Sequence, residues 1–576
     1  WALLLSLYII ELNGRKQFIA MLLLGLTIGM SIIPGHFPSN IIFLIINGIF
    51  FVLHAITKIF EDKKFNLIKI GMVVRKLVYF SFSVIIGFVT AIVTLYPFLE
   101  RSLSSSLISR GGGSGGLSLI NQTLSGALAT IISPNIFGNP VDGNWGYSGN
   151  YNEYVFYFGL LALFIVIVSF RRLIKNNSDR INIFLLILSL EMIMGIPPFN
   201  LLLNLFGFRQ IPPQRWGIIL SFSVGLLSAS SLDYLIGKLN ALQIKTLIKK
   251  SKKFLFTAPL ILIITGIIGF VFRTKIDKYL QSGKLIYIIG QIAIVALITF
   301  VGIIVIYLIS KKKNYVLKIM LVGIFVLDMI VWSWHFHPSL ERSKVFLETP
   351  GLNYLSKHQG DGRVLFLNGD GFNVNGNVQE AYGIRGINGY DLFIDPDYQH
   401  YINSMCENYD AESSSFVGVS EVRCLDNDLL DMLGVRFVST KHGRDIGKTS
   451  YRMVYEGRDM DIYENTEAIQ TWFVSKKMNI DTKEFYKEIN SKNIDHSVAL
   501  DQTQKVYAEC NNLVSKYSRE NETIKINLQT PCDGYLVINE RYNLGWKVFV
   551  DGVEIKEEKI NGLFIGLDIK QGSEEV

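Results

Sequence analysis

Cysteine is missing from the first 405 residues; the four present are Cys406, Cys424, Cys510 and Cys532. None stands in a CxxC or Cys/His spacing, which excludes a zinc ribbon or finger. Acidic residues are scarce early on: residues 1–335 hold 11 Asp+Glu against 30 Lys+Arg, whereas residues 336–576 hold 38 against 26. The net charge of +7 is therefore the sum of two unlike parts. A basic, very apolar first part followed by an acidic, Asn/Asp/Gly-rich second part reads as a membrane domain joined to a soluble one, with no nucleic-acid partner expected. Methionine is missing from position 1. Trp1 lies inside an apolar run, so the chain reads as a piece that begins within a span, and no signal peptide can be assessed. The closing "QGSEEV" likewise stops where a further strand is expected.

What is abundant is long apolar sequence. Crossing a hydrocarbon layer of about 30 Å takes roughly 20 helical residues. Ten segments qualify, the first of them short: about 1–12, 17–34, 39–58, 77–98, 154–170, 181–199, 214–236, 254–272, 285–310 and 315–335. Alternate connections carry "GRK", "EDKKFNLIKIGMVVRK", "RRLIKNNSDR", "KLNALQIKTLIKKSKK" and "SKKKN". Counted by side, 22 of the 30 basic residues fall on one face and 8 on the other. The richer face is cytoplasmic by the positive-inside rule. That places the long loop 99–153, the tract "LFGFRQIPPQRWGIIL" and everything after residue 335 outside.

The external part divides at about residue 470. In 336–470, "TPGLNYLSKH" predicts a short helix capped by Thr349, and "RVLFLN" and "VRFVST" predict strands in a mixed α/β region. In 471–576, alternation of apolar and polar residues, with Asp551–Gly552 and Asn561–Gly562 suited to two-residue hairpins, predicts a small antiparallel β-sandwich. An oxidising location permits disulfides, Cys406–Cys424 and Cys510–Cys532 being the shorter-loop pairing. Free buried thiols are the alternative.

Charged groups at the outer face are the candidate site. Arg209 and Arg215 flank Pro212–Pro213 where topogenic charge does not explain them. A guanidinium donates a planar pair of hydrogen bonds suited to phosphate, and the prolines would turn both toward one pocket at the bilayer surface. Anchorage to ordinary phospholipid headgroups is the plainer reading. The second half of the long loop is dense in Trp145, Tyr147, Tyr151 and Tyr154, with Asp142 and Glu153 among them. Aromatic faces with carboxylates suit sugars, and an interfacial aromatic belt is the alternative. Glu153 stands where the chain re-enters the membrane, as a general base, a metal ligand or a favourable charge at a helix N-terminus. Glu191, Asp328 and Asp233 lie within or at the ends of spans. Glu191 is the intramembrane candidate because it precedes the helix-breaking "MGIPPF".

The order of "YPFLE", "NYNEYVFYFG", "FRQIPPQRWGIIL", "LGVRFVST", "YENTEAIQTWFV" and "NLGWKVFVDGVEIKEEKINGLF" resembles the YfhO family of bacterial membrane proteins, which look like glycosyltransferases of the GT-C type. The resemblance implies a GT-C-like polytopic α-helical membrane domain, about ten spans of it present, carrying an extracytoplasmic α/β region and the β-sandwich. It implies transfer of a sugar from a polyprenyl-phosphate donor to a cell-envelope glycopolymer, lipoteichoic acid in some members, on the outer face of the bacterial plasma membrane. Arg209 and Arg215 would then bind donor phosphate, and Glu153, Asp142, Tyr151 and Trp145 would border the acceptor cleft. The family's catalytic acid is expected in a loop before Trp1, so the catalytic residue is left unassigned. No metal ligands are assigned, although the chemistry is compatible with a divalent metal offsetting leaving-group charge. Two other classes fit ten spans and a large external domain: a sugar-binding envelope scaffold, and a transporter or flippase of envelope precursors. The absence of a repeated pair of broken helices weighs against the last.

Overall fold

The computed structural model describes residues 1–60, 67–104, 129–146, 150–195, 213–238, 284–312, 314–334, 336 and 340–576, the last stretch apart from 370, 373, 375, 392, 409–415, 426, 448–449, 492–497, 501–503, 508–509 and 521. The chain forms two compact units, residues 1–99 with 111–339, and residues 100–110 with 340–576.

Six helical segments of the first unit are long and apolar enough to cross a membrane, among the described residues: Gly14–Ile32, Ser39–Lys58, Ile70–Thr90, Pro213–Ile236, Gly290–Ile309 and Tyr315–Ser333. These correspond to six of the ten expected spans. Ala2–Glu11 is apolar but short, and 254–272 lies outside the described residues. The expected span 154–170 is instead a single turn, Tyr151–Tyr154, a stretch outside any helix, and a helix over Leu160–Leu173. Gly159, with φ +94°, adopts the positive-φ conformation that separates them. The expected 181–199 is a helix over Asn177–Met194, started by the Asn176 side chain accepting from the amides of Ser178 and Asp179 and ended by left-handed Gly195. The fourth helix begins at Leu67, ten residues before the expected start at 77. Its Lys69, Arg75 and Lys76 had counted toward a loop, yet lysine and arginine are good helix formers.

Close backbone approach holds the second and fourth helices together. Gly25 and Gly29 lie one turn apart on Gly14–Ile32, and a Cβ on either would come within 2.7 Å of Ile86 Cγ2 or Thr90 Cβ. Gly87 on the facing helix would place one 2.5 Å from Ile28 Cγ2. Small residues spaced by four let helices pack at dispersion-contact distance where lipid supplies no hydrophobic drive. On the side rich in positive charge, Arg172 Nη1 donates to Asp179 Oδ2 at 2.8 Å and Ser230 Oγ at 2.5 Å, tying three helices. Its Cζ lies 5.4 Å from the Tyr234 ring centroid.

In the second unit, Thr349 Oγ1 accepts from the Leu352 amide at 3.3 Å and starts the helix Pro350–His358. Strand Arg363–Phe366 lies parallel to Val435–Thr440, which pairs antiparallel with Asp461–Asn465, and that with Tyr451–Glu456. A second sheet runs in the order Glu558–Ile560, Phe564–Ile569, Gly534–Arg541, Thr471–Val474. Its central strand is buried on both faces. Leu536 and Ile538 join one core with Ile526 and Leu528 of the hairpin Leu513–Glu520/Thr523–Gln529; Tyr535 and Val537 join another with Phe485 and Ile489, as a side-chain period of two requires.

Two details differ from the antiparallel expectation. Lys476–Met478 pairs parallel with Val498–Leu500, joined by the helix Thr482–Asn490, because parallel neighbours need a crossover of a dozen or so residues. Asp551–Gly552 forms the expected two-residue turn between Val550 and Val553. Asn561–Gly562 instead opens a three-residue loop between the paired residues Ile560 and Phe564. Cys406–Cys424 and Cys510–Cys532 are disulfides, with Cα separations of 4.7 and 6.3 Å.

Candidate functional site

Two short segments of the first unit meet where the sequence predicts the outer face. Pro213, whose ring presets φ, begins a 3₁₀ turn, Pro213–Trp216. Trp216, 2% exposed, anchors it in an apolar cluster with Phe156, Ile42, Ile46, Leu188 and Met192. Gly217 allows that approach, since a Cβ there would lie 2.7 Å from Phe156 Cδ1. With the indole seated, the two polar residues before it reach the Tyr151–Tyr154 turn. Gln214 Nε2 donates to Tyr154 Oη at 3.1 Å. Arg215 donates through Nε and Nη2 to Glu153 Oε1 at 3.0 and 2.9 Å. Both side chains stay about a fifth to a quarter exposed, so the pair keeps contact with its surroundings.

The loop before it packs as a frame. Thr130 Oγ1 donates to the Tyr154 carbonyl at 3.2 Å and accepts from the Phe156 amide at 3.3 Å. Tyr151 Oη donates to Asn135 Oδ1 at 2.5 Å, and Asn139 Nδ2 donates to the same oxygen at 3.3 Å. Trp145 meets the Tyr151 ring edge-on at 5.1 Å between centroids, and Phe336 lies 5.0 Å from that ring. Tyr151 is buried, and burial first, then the nearby Tyr287 and Asp142, pushes its phenol up to about 12, so it stays a donor at neutral pH. Asp142 is exposed and accepts from Tyr287 Oη at 3.3 Å.

A second carboxylate approaches from the helix Tyr315–Ser333. Asp328, 2% exposed, accepts from Tyr157 Oη at 2.7 Å and from Trp332 Nε1 at 3.1 Å. Its Oδ2 lies 3.1 Å from where a Cβ on Gly159 would stand, so the glycine also makes room for it.

Glu153 and Arg215, given separate roles by the sequence, thus form one ion pair, while Asp142, Trp145 and Tyr151 share one loop. Arg209 and Tyr147 lie outside the described residues. Glu191 lies in the last turn of the helix that ends at Met194, with Oε2 buried and without a hydrogen-bond partner among the described residues. Asp233 is exposed at a helix end. Sequence reasoning missed Thr130, Asn135, Tyr157, Gln214 and Trp332. Their neutral polar or aromatic chemistry carries no signal until packing aims it, although Asn135 and Asn139 at i, i+4 in "SPNIFGNP" were there to be read. Among the described residues no group of three or more His, Cys, Asp or Glu is placed to hold a metal ion.

A family model described as bacterial membrane protein YfhO matches residues 43–488, more than three quarters of the chain. No curated protein and no solved structure matches.

Proposed function

From the premise that the chain belongs to the YfhO family of bacterial membrane proteins, we propose that this multi-pass membrane protein is a glycosyltransferase working at the outer face, with the Arg215–Glu153 pair as its phosphate-exchange point. The supporting observation is the form of that pair: one guanidinium spends two donors on a single carboxylate oxygen, beside aromatic rings and amides.

An incoming polyprenyl-phosphate sugar presents anionic oxygens that match the guanidinium fork. Phosphate taking Arg215 releases Glu153 as a free carboxylate at the same place. Glu153 is then available to accept a proton from an acceptor hydroxyl as that oxygen attacks the anomeric carbon, and Arg215 offsets the charge gathering on the departing phosphate. The acceptor is a cell-envelope glycopolymer, lying along Trp145 and Asp142. Asp328, held by Tyr157 and Trp332, fixes the segment that carries Glu153. The two disulfides of the second unit are in keeping with an oxidising, extracytoplasmic side for that unit.

Purified protein in lipid nanodiscs, supplied with radiolabelled polyprenyl-phosphate sugars and envelope polymer, tests the reading. Wild type is expected to bind donor and transfer label, Arg215→Ala to lose donor binding, and Glu153→Gln to bind donor without transfer. A wild type that binds no donor overturns the enzyme, and an Arg215→Ala variant that transfers normally makes the arginine a headgroup anchor.

A further inference from the structure

The second unit holds a charge arrangement that the proposed reaction does not use. Glu540, 8% exposed on the strand Gly534–Arg541, receives three guanidinium groups on one oxygen. Arg363 Nη2 stands 3.0 Å from Oε1, Arg385 Nη2 2.8 Å and Arg519 Nη1 2.5 Å. Three positive charges against one negative leave a surplus of two in a largely desolvated place, where like charges repel several times more strongly than in water.

The three arginines are not equivalent. Arg363 is spent on structure, donating also to the Leu433 and Asn539 carbonyls, and its side chain is 14% exposed. Arg385 gives Nη1 to the Asp361 carbonyl at 2.8 Å. Burial first, and then Arg363, press its guanidinium below the ordinary value. Burial works against Arg519 too, but Glu540 holds it above its ordinary value. One carboxylate can accept from all three, but its single charge leaves two of the three guanidinium charges uncompensated. Arg519 Nη1 is buried and lies against Glu540 Oε1, with the Tyr517 hydroxyl as its other neighbour. Arg385 and Arg519 reach the surface, their side chains 28% and 24% exposed.

The surroundings carry the same sign. Arg436 and Arg452 share Glu464 at 3.1 and 2.7 Å, adding a further positive surplus. Arg436 Nη1 donates to the Gln359 carbonyl at 3.5 Å, and the Arg385 backbone amide donates to the Gln359 side-chain oxygen at 2.9 Å, so Gln359 lies between the two clusters. A polar cleft of about 370 Å³ opens along Gly362, Gly434, Arg436, Arg452 and Glu464, beside the Glu540 cluster but not lined by its arginines. Summed fields of one sign at a cleft raise the local concentration of anions.

We infer that Arg363, Arg385 and Arg519 around Glu540 form an oxyanion site for a phosphate dianion, either free phosphate or a terminal phosphomonoester. A dianion matches the surplus of two and exploits the geometric fit of guanidinium to phosphate oxygens. Glu540 organises the arginines when the site is empty. The inference is independent of the glycosyltransferase reading, since it needs neither a donor nor transfer.

The test measures binding of inorganic phosphate to the whole protein in nanodiscs of zwitterionic lipid, by equilibrium dialysis at constant ionic strength. Saturable binding is expected, weakened about tenfold or more by Arg519→Gln, as loss of a charge-assisted bond implies. Glu540→Gln removes the internal competitor and is expected to tighten binding; Arg519→Lys, which keeps the charge, guards against a variant that fails to fold and is expected to lose part of the affinity. Glycerol 1-phosphate binding more tightly than phosphate assigns an esterified ligand, and the reverse order a free one. Absence of saturable binding, or binding that folded Arg519→Gln keeps, overturns the site. A glycerophosphodiester binding as tightly as the monoester overturns the dianion assignment.

Discussion

Arg215 and Glu153, 62 residues apart, meet through two donors on one oxygen, Nε at 3.0 Å and Nη2 at 2.9 Å. Such a pair is strong enough to fix a geometry. Its worth to stability is about 1 kcal/mol or less, because both groups keep contact with solvent. Exchanging the residues, Glu153→Arg with Arg215→Glu, is expected to leave the thermal unfolding midpoint nearly unchanged while abolishing donor binding. An equal loss of midpoint and binding would reduce the pair to a structural tie.

Helix packing gives a sharper stability prediction. Gly87→Leu drives a side chain into Ile28, and Gly29→Leu drives one into Thr90. Each is expected to destabilise the first unit by about 1–3 kcal/mol, the usual cost of overpacking. Gly225→Leu serves as the control, since nothing lies within 4 Å of a Cβ placed there. Detergent-titrated unfolding of the three variants would show it, and a control as unstable as the other two would dispose of the close-contact argument.

Removing one partner of Asp328 costs differently from removing Asp328 itself. Tyr157→Phe takes away one hydrogen bond and leaves Trp332 to serve the carboxylate. Asp328→Ala strands a phenol and an indole N–H, at about 1–3 kcal/mol for each buried donor left unpaired. The alanine variant should therefore unfold at the lower temperature and carry the larger loss of sugar transfer. The reverse ranking would mean that the tyrosine acts by itself.

The disulfides close loops of 18 and 22 residues. Each is expected to contribute about 3 kcal/mol, mainly by restricting the unfolded chain. Replacing Cys406 and Cys424 by serine should lower the unfolding midpoint of the second unit under non-reducing conditions and remove part of its sensitivity to reductant. A variant as sensitive to reductant as wild type would show that the bond is not formed in the isolated protein.

A pH window follows from His442 and Asp461. Asp461 Oδ1 lies 3.0 Å from His442 Nδ1, and Oδ2 accepts from the Gly443 amide at 2.7 Å. The hydrogen bond to Asp461 raises the His442 imidazole above its ordinary value. Burial works against Asp461, yet His442 and the backbone amides hold its carboxyl low. The histidine contribution is full below about pH 6.5 and fades as pH rises through the higher folded value. The aspartate contribution is full above about pH 4 and fades as pH falls through the lower one. Their joint contribution therefore peaks between these limits. His442→Ala is expected to flatten the alkaline side of the unfolding-midpoint profile and, because the imidazole also helps hold Asp461 low, to weaken the acid side in part; a loss confined to the acid side would contradict the pairing.

Local patterns made much of this legible. Apolar runs and their charged connections identified a membrane part, and Thr349 before Pro350 marked a helix start that the fold confirms. Asp551–Gly552 marked a hairpin because its two positive φ values are a property of those two residues. Where local cues competed, the reading slipped. Lys69, Arg75 and Lys76 looked like loop and are helix, while Val155 to Phe158 looked like helix and lies outside any helix, because residue type alone does not say where packing will place a turn.

By itself, then, the sequence determined a basic multi-helix membrane part, an acidic mixed α and β part, and the family, since all three reside in composition, periodicity and ordered motifs. Only the tertiary structure decided that Arg215 meets Glu153, that Asp328 is held by Tyr157 from 171 residues away, and that three arginines share Glu540. The physical reason is the same in each case. A charge has no partner written beside it in the chain, and burial of Trp216 or of a strand is what brings one within 3 Å.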